Sequence, residues 1–395
     1  MTPPARLSAA IEVLDLYLGG QPVEKALTNW ARRSRFAGSK DRAAIRDIVF
    51  DCIRNRKSYA AYGHGETGRG LTCAHAAKGR DREDLQALFT GEGHAPSPLT
   101  EDELGALYRT RLRQSWEMMH DLPEWLAEEI AASFGDKSMQ VARALTKRAP
   151  VFLRVNLSRA SRDDAITSLA QDGVTAVVAR RSETALEVIE NPRKVSMSAA
   201  FANGLIELQD ASSQAICAGL PPSRRMLDYC AGGGGKVLAY GDLNTAALFA
   251  HDANSRRLGD LAPRAARAGL SVQILDKAAC RTQAPFDLVL CDVPCSGSGA
   301  WRRSPEGKWA LTPESLANLQ KIQASILDEA AGLVAVGGCL AYVTCSVFKS
   351  ENNDQIQLFL KQHSQYKLAS KTQYLPDASG DGLFVAHLTR RGDDA

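Results

Sequence analysis

The sequence predicts an α/β protein, in which a mostly parallel sheet is wrapped by helices and follows a small α+β subdomain and an all-α N-terminal part. Two observations lead to this prediction. After Gln209, apolar strand-like runs alternate with helical stretches, which is the pattern of a parallel sheet covered by helices. Before Ala149, apolar residues recur mainly at helical spacing. The chain has 395 residues, enough for two to three domains.

The N-terminal part has the periodicity of amphipathic helices. Apolar residues separated by four, three and four positions span residues 7–18, and a similar pattern returns over residues 45–53. Residues 61–103 are rich in Gly, His and Ser and show little periodicity, so we expect mostly loop or weak helix there. Helical patterning returns between Pro123, which suits a first helical turn, and Gly135, which suits a C-terminal stop.

Charge is distributed unevenly along the chain. The whole sequence carries 48 basic and 45 acidic side chains, a net charge of +3. The first 60 residues alone carry 11 basic and 6 acidic side chains, a net charge of +5, so the remainder is slightly acidic. A basic helical module on a near-neutral body is typical of nucleic-acid-binding proteins, although a solvated helix surface explains the same charges equally well.

Between Pro150 and about Met197 the pattern of apolar residues changes. The segments VFLRVN, VTAVVA and ALEVIE are short and rich in β-branched residues, and DDAITSLAQDG between them is helix-like. We therefore predict three parts: a helical part over residues 1–145, a small α+β subdomain over residues 146–200 and the α/β domain over residues 201–395.

Composition excludes several classes of protein. Hydrophobic residues make up 45% and charged residues 24% of the chain, values typical of globular domains and not of disordered or fibrous chains. The nine cysteines are irregularly spaced and form no CxxC pair, so we expect neither a disulfide framework nor a metal site. The longest nearly apolar run, residues 330–344, is shorter than the roughly 20 residues of a membrane span. With no signal-peptide core at the N-terminus, we expect a cytoplasmic, monomeric protein.

Polar and glycine residues follow the predicted strands of the α/β domain at their carboxyl ends, where such sheets bind ligands. The strand RMLDYC runs into four glycines and Lys236, a loop that lets a ligand approach the backbone at a helix start. This loop is neither a GxGxxG motif nor a P-loop, and a plain flexible loop is the alternative. Asp252, 20 residues after the first loop glycine, and Asp276 follow the next two strands. Acids at successive strand ends indicate an adenosine-containing ligand, although any one of them can be an ordinary solvated residue.

Two cysteines follow the next two strands. FDLVLC leads into Asp292 and, three residues later, Cys295, and CLAYVT leads into Cys345. The two thiols are 50 residues apart in sequence, but adjacent strands would bring their ends together. Most of the other cysteines lie in apolar segments, where a small buried hydrophobic residue is the ordinary role.

These motifs together resemble the Sun/Fmu family of RNA cytosine-5 methyltransferases, and the match covers essentially the whole chain. The segments that carry the resemblance are QDASSQ, LDYCAGGGGK, DVPCSGSG followed by WRRSPEGKW, TCS with Glu351-Asn352 downstream, and DGLFVAHL. The basic N-terminal part is similar to the NusB-like RNA-binding domain of bacterial members, and the region from DLPEWL to RVN resembles their linker and RRM-like subdomain. Two departures affect the cofactor loop, where Gly232-Gly233 stand for Ala-Pro and Val237 stands for threonine.

The resemblance implies a Rossmann-like class I methyltransferase core with a mostly parallel seven-stranded sheet that binds S-adenosylmethionine. It implies that Cys345 adds to carbon 6 of cytosine and that Cys295 assists loss of the proton from carbon 5. Asp292 is implied to hydrogen-bond the N3 and amino edge of the base, Asp252 to bind the ribose and Asp276 to lie near the adenine. The implied cofactor-binding residues are Cys230, Ala231, Gly232, Gly233, Gly234, Gly235, Lys236, Asp252, Arg257, Asp276 and Asp292.

An RNA substrate is the further implication, because the family members that carry the second thiol, in TCS, act on RNA. Arg302, Arg303 and Lys308, which alternate with Trp301 and Trp309, are suited to hold phosphates and stack bases, although a charged surface loop is the alternative. We expect a methyltransferase acting on small-subunit ribosomal RNA. The alternatives are a transfer-RNA methyltransferase and a non-catalytic RNA-binding ribosome-assembly factor that has kept the fold.

Overall fold

A computed structural model describes residues 1–109 and 115–392, and the chain divides into two compact units. The helical unit comprises Met1–Glu128, Asp136–Arg148 and Trp301–Ala310. The sheet unit comprises Glu129–Gly135, Ala149–Ala300 and Leu311–Ala395. The predicted domain ranges also include residues 110–114 and 393–395, which lie outside the described residues. Across the described ranges, no helix has both the length and the apolar character needed to cross a membrane.

The helices and strands follow one another along the chain in both units. The α-helices are α1 Pro3–Leu18, α2 Val23–Arg33, α3 Ser39–Arg54, α4 Arg56–Tyr62, α5 Gly68–Ala77, α6 Arg82–Gln86, α7 Glu101–Leu107, α8 Trp116–His120, α9 Ala127–Phe134, α10 Ser138–Leu145, α11 Arg162–Gln171, α12 Ala199–Ala202, α13 Ala211–Ala218, α14 Gly235–Leu243, α15 Leu261–Ala268, α16 Lys277–Gln283, α17 Gly307–Ala310, α18 Pro313–Ala331 and α19 Asn353–Gln362. The strands are β1 Val151–Val155, β2 Thr175–Val178, β3 Ala185–Glu190, β4 Ile206–Leu208, β5 Arg225–Asp228, β6 Ala247–Ala250, β7 Val272–Ile274, β8 Phe286–Asp292, β9 Val334–Thr344, β10 Tyr366–Tyr374 and β11 Leu383–Arg390.

The core of the helical unit is formed by the apolar faces of α1, α2, α3 and α5, which include the fully buried Val13 and Ile45. Helices α1 and α3 confirm the predictions for residues 7–18 and 45–53. Residues 61–103, predicted as mostly loop or weak helix, lie largely outside helices but include the regular helix α5, which begins with Gly70 N–H donating to the Thr67 side chain. A Cβ at Gly68 would lie 2.4 Å from the Ile11 carbonyl oxygen. The small residues of α5 therefore allow close packing against α1.

A four-stranded antiparallel sheet of order β2-β3-β1-β4 forms the small subdomain of the sheet unit. Strands β1, β2 and β3 and helix α11 lie where the sequence predicts them. The small sheet extends past the predicted limit at residue 200, because β4 pairs with β1. A three-residue strand is too short to show periodicity in the sequence. Arg154 of β1 is buried and forms an ion pair with Asp242 of α14 at 3.0 Å, so this subdomain is joined to the large sheet's helices.

The large sheet has seven strands in the order β10-β11-β9-β8-β5-β6-β7. Neighbouring strands from β9 to β7 pair in parallel, whereas β10 and β11 are antiparallel. The predicted mostly parallel, Rossmann-like sheet is therefore confirmed. Strand β10 was missed because it is an edge strand, exposed over most of its length, in which lysine, serine and threonine replace an apolar pattern.

The strand order positions a site at the carboxyl ends of β5, β8 and β9. The first strand of the parallel set, β5, lies between β6 and β8, so the strand order reverses beside it. Asp292 at the end of β8 is in register with Val343 near the end of β9. The loops after β8 and β9 therefore start side by side.

Candidate active site

The glycine loop connects β5 to α14 and closes against the end of β6. Gly232 and Gly234 have positive φ angles of 50° and 82°, which favour glycine. A Cβ at Gly234 would also lie 2.2 Å from Leu261 Cδ1. The Gly232 N–H donates to Asp252 Oδ2 at 2.9 Å, so the loop and the acid after β6 hold each other in place.

Beside this loop lies a cavity of about 430 Å³. Three of the predicted cofactor-binding residues line it: Cys230, Asp252 and Asp276. Asp252 also pairs with Arg257 at 3.4 Å, and Asp276 accepts a hydrogen bond from Ala279 N–H at the start of α16. The loop residues 231–236 are not among the residues lining this cavity.

The cavity has the character of a nucleoside site. Ile274, Leu275 and Ile326 supply apolar walls, and Asp252 and Asp276 supply acceptors for hydroxyl or amino groups. The residues present therefore fit the adenosine part of S-adenosylmethionine. Sequence reasoning missed Ile326, because it lies on the long helix α18, far along the chain from the other wall residues.

A buried acid, Asp228, ends β5 next to this cavity. Its side chain is 1% exposed, and its Oδ1 atom accepts no hydrogen bond from the described residues. Burial, with a further contribution from the negative charge of Asp292, raises the pKa of Asp228 to about 7. The site therefore contains a carboxyl group that titrates near neutral pH.

Lys236, the last residue of the glycine motif, binds the acid that follows β8. Its Nζ donates to Asp292 Oδ2 at 2.5 Å. Burial alone would lower the pKa of Lys236, but the charge of Asp292 and the hydrogen bond outweigh it, and the pKa is raised. Lys236 is therefore a stable cation that orients the Asp292 carboxylate.

The two predicted thiols lie together, as expected for residues after adjacent strands. Cys295 Sγ and Cys345 Sγ are 3.3 Å apart, and both residues are partly buried. The hydrogen bond with Cys345 and then burial raise the pKa of Cys295 well above its ordinary value. The two thiols are thus within hydrogen-bond distance of each other, and either sulfur can be the donor.

A buried carboxylate lies next to the two thiol-bearing loops. Glu351 is fully buried and accepts hydrogen bonds from Ser296 and Ser346, the residues that directly follow the two cysteines. Glu351 belongs to a motif of the sequence, but no role could be predicted for it, because its hydrogen-bond partners are distant in sequence.

The predicted RNA-binding segment requires a correction. Arg302 and Lys308 are 2% and 1% exposed and belong to the helical unit. Lys308 Nζ donates to the Arg54 carbonyl oxygen at 2.7 Å, and Arg54 Nε donates to the Arg302 carbonyl oxygen at 2.9 Å. Burial lowers the pKa of Lys308 to about 7. These two side chains are therefore inside the unit and not available to phosphates, whereas Arg303 is exposed.

No group of three or more His, Cys, Asp or Glu side chains placed to hold a metal ion occurs among residues 1–109 and 115–392.

Comparison with protein families and curated sequences gives consistent matches. A family model described as 16S rRNA methyltransferase RsmB/F matches residues 219–389, and the ferredoxin-like domain of RsmF/B-like methyltransferases matches residues 122–196. Ribosomal RNA small subunit methyltransferase B of Photorhabdus laumondii is 33% identical over 69% of this chain and 67% of its own length. The protein of the same name from Erwinia tasmaniensis is 31% identical over 80% of this chain and 78% of its own.

Solved structures share the fold. The crystal structure of PH0851 superposes with a TM-score of 0.76 and 24% identity, covering 99% of both chains. The structure of NSun6 from Pyrococcus horikoshii with SFG has a TM-score of 0.61 and 17% identity, covering 70% of this chain and 100% of that one.

Proposed function

Because the chain belongs to the RsmB/F family of S-adenosylmethionine-dependent RNA methyltransferases, we propose that it methylates carbon 5 of a cytosine in 16S ribosomal RNA. The observation that carries this proposal is the 3.3 Å approach of Cys295 Sγ to Cys345 Sγ. Two adjacent thiols beside an oriented carboxylate suit a reaction that needs a nucleophile and then a base on one ring. The 16S substrate is proposed from the names of the curated relatives.

S-adenosylmethionine, when bound, supplies an electrophilic methyl group. Asp252 would accept hydrogen bonds from its ribose hydroxyls, and Asp276 would lie near the adenine edge. Ile274 and Ile326 would contact the faces of the adenine ring. Gly232 would support this site indirectly, because its N–H holds the Asp252 carboxylate.

Carbon 5 of cytosine is a poor nucleophile, so the ring must first be activated. Addition of the Cys345 thiolate forms a bond between Sγ and carbon 6 and moves the displaced electron pair toward carbon 5 and the N3 side of the ring. Asp292, held by Lys236, would accept a hydrogen bond from the amino group and, after N3 has taken up a proton from solvent in the adduct, a second one from N3–H, which stabilises the adduct. The target base must be unstacked for this attack, because the thiolate approaches carbon 6 from above the ring plane.

Cys295 is suited to the later step, in which carbon 5 must lose its proton before the bond to Cys345 breaks. In the free enzyme, the hydrogen bond with Cys345 is the largest cause that raises the pKa of Cys295. Once Cys345 Sγ is bonded to carbon 6 it is a neutral thioether, so the interaction with Cys345 that raises the pKa of Cys295 is weakened. Cys295 therefore becomes a better base at the stage where one is needed.

Two cysteine variants test the chemistry. Cys345→Ala should still bind S-adenosylmethionine in calorimetry and transfer no methyl group. Cys295→Ala should accumulate a covalent protein–RNA adduct, visible as a slow band on a denaturing gel. Cys339→Ala is the matched control, because this buried thiol of β9 lies away from the strand end, and it should retain activity.

Normal turnover by Cys345→Ala would disprove the covalent mechanism. Bisulfite sequencing of RNA from a deletion strain tests the substrate, since a single cytosine in 16S ribosomal RNA should lose its modification. Loss of a modified cytosine in transfer RNA instead would disprove the 16S assignment.

A further inference from the structure

We propose that Glu351 is a positioning residue that fixes the separation of the Cys295 and Cys345 thiols by joining the two loops that carry them. The inference rests on the proposed function, because the separation of the two thiols matters for catalysis when both act on one base. It assigns a role to a carboxylate that the chemistry above leaves without one.

The contacts of the Glu351 carboxylate connect both loops directly. Its Oε1 atom accepts a hydrogen bond from Ser296 N–H at 2.8 Å. Its Oε2 atom accepts from the hydroxyls of Ser296 and Ser346, each at 2.5 Å. Because Ser296 follows Cys295 and Ser346 follows Cys345, one carboxylate binds the residue next to each thiol.

Glu351 is itself held in place by the sheet and by α18. Gln323 of α18 is fully buried, and its Nε2 donates to Glu351 Oε1 and to the Pro294 carbonyl oxygen, both at 3.0 Å. The Tyr342 hydroxyl of β9 donates to the Glu351 carbonyl oxygen at 2.6 Å. The carboxylate therefore accepts four hydrogen bonds, which is the environment a buried charge requires.

The separation of the thiols matters because the two groups act on neighbouring carbon atoms of one base. A misplacement of about 1 Å can cost on the order of a hundredfold in rate. The loops are also joined by a backbone hydrogen bond from Gly299 N–H to the Cys345 carbonyl oxygen, at 3.0 Å, and by the Ser298 hydroxyl, which lies 2.9 Å from the Ser346 hydroxyl and accepts from Val347 N–H at 2.9 Å. Glu351 is the group that binds the residue next to each thiol. If Glu351 only supported the fold, its substitution would lower the stability of the protein but would leave the distance between the two thiols unchanged in the molecules that fold.

Disulfide formation between the two cysteines measures their proximity without any substrate. With diamide as oxidant, the two thiols lose two protons and two electrons, an Sγ–Sγ bond forms, and diamide is reduced to the hydrazine. Mass spectrometry of the peptide pair that contains Cys295 and Cys345 follows the rate. Glu351→Gln keeps the size of the side chain but places an amide NH₂ where an acceptor oxygen faces its donors. We expect this variant to cross-link about tenfold more slowly and to lose RNA methylation mainly in kcat.

Ser346→Ala provides a second variant, because it keeps the carboxylate and removes the hydroxyl by which Glu351 holds the Cys345 loop, together with the contacts of that hydroxyl with Ser298 and Phe348 N–H. It should slow cross-linking by about threefold. The matched control is Asp121→Asn in the helical unit, where a carboxylate that is 4% exposed accepts from Lys57 N–H, Ser58 N–H and the Ser58 hydroxyl. This control should lower the thermal stability and leave the cross-linking rate unchanged.

A folded Glu351→Gln protein that cross-links at the wild-type rate would overturn the proposal. If Glu351→Gln does not fold, a wild-type rate for Ser346→Ala overturns it instead. If the wild-type protein methylates no cytosine, the proposed function fails, while the comparison of cross-linking rates still tests the positioning role.

Discussion

The buried carboxyl group of Asp228 makes the stability of the sheet unit depend on pH. We predict that Asp228→Asn, which removes the titrating group and nearly keeps its shape, becomes more stable relative to wild type as the pH rises. In the folded protein, burial and the charge of Asp292 raise the pKa of Asp228 from 3.8 to about 7. Folding therefore favours the protonated form, and wild-type stability falls as the pH rises from about 4 to about 7.

The magnitude follows from the two pKa values. A pKa difference of roughly three corresponds to about 4 kcal/mol between the low-pH and high-pH limits. At about pH 5 a little over 1.5 kcal/mol of this loss is already present, and at about pH 8 nearly all of it is. The stability difference between Asp228→Asn and wild type should therefore shift by about 2 to 3 kcal/mol in favour of the variant between these pH values. The change in the free energy of unfolding that the substitution causes independently of pH is the same at both pH values, so it cancels from this shift.

Urea unfolding followed by far-ultraviolet circular dichroism at the two pH values measures this shift. Tryptophan fluorescence supplies an internal control, because all five tryptophans lie in Met1–Glu128 and Trp301–Ala310 of the helical unit, which should not respond to the substitution. A stability difference that stays constant between about pH 5 and about pH 8, or moves in favour of wild type, would refute the reasoning.

Two further predictions concern buried charges. Arg154→Met leaves Asp242 buried without its ion-pair partner, so urea unfolding should show a decrease of about 3–5 kcal/mol in the free energy of unfolding. The double variant Arg154→Met/Asp242→Leu should recover much of this decrease. A decrease below about 1 kcal/mol in the single variant would contradict the prediction. Lys308→Met removes an amine whose folded pKa is lowered to about 7, so tryptophan fluorescence should show the variant gaining stability over wild type as the pH falls from about 10 to about 7. RNA affinity should not change, and a clear decrease would show that Lys308 contacts RNA.

The large sheet and the pairing of the thiols could be predicted because both follow from local signals. Apolar runs marked six of the seven strands, and parallel pairing then placed the ends of β8 and β9 together. Strand β10 could not be found this way, since an exposed edge strand needs no apolar pattern. The network around Glu351 was equally hidden, because its members come from separate loops and from α18 and meet only in the folded chain.

The segment WRRSPEGKW shows a different limit of sequence reasoning. Alternating Trp, Arg and Lys side chains suit a nucleic-acid surface, but here they are largely turned into the helical unit, where Trp301 is 2% exposed. Local composition does not distinguish a charged side chain bonded to buried carbonyl groups from one that faces solvent. Only the contacts of Lys308 with distant backbone made the distinction.

The membership of Trp301–Ala310 in the helical unit has a consequence for how the chain is made. The first 148 residues leave the ribosome well before Trp301 and Lys308, which fill buried positions of the same unit. The core of the helical unit therefore cannot pack completely until the strands of residues 151–292 have been synthesised. A chain truncated after residue 148 would lack these side chains. The two units are thus tied by order of assembly, and the helical one cannot be exchanged as a simple N-terminal block.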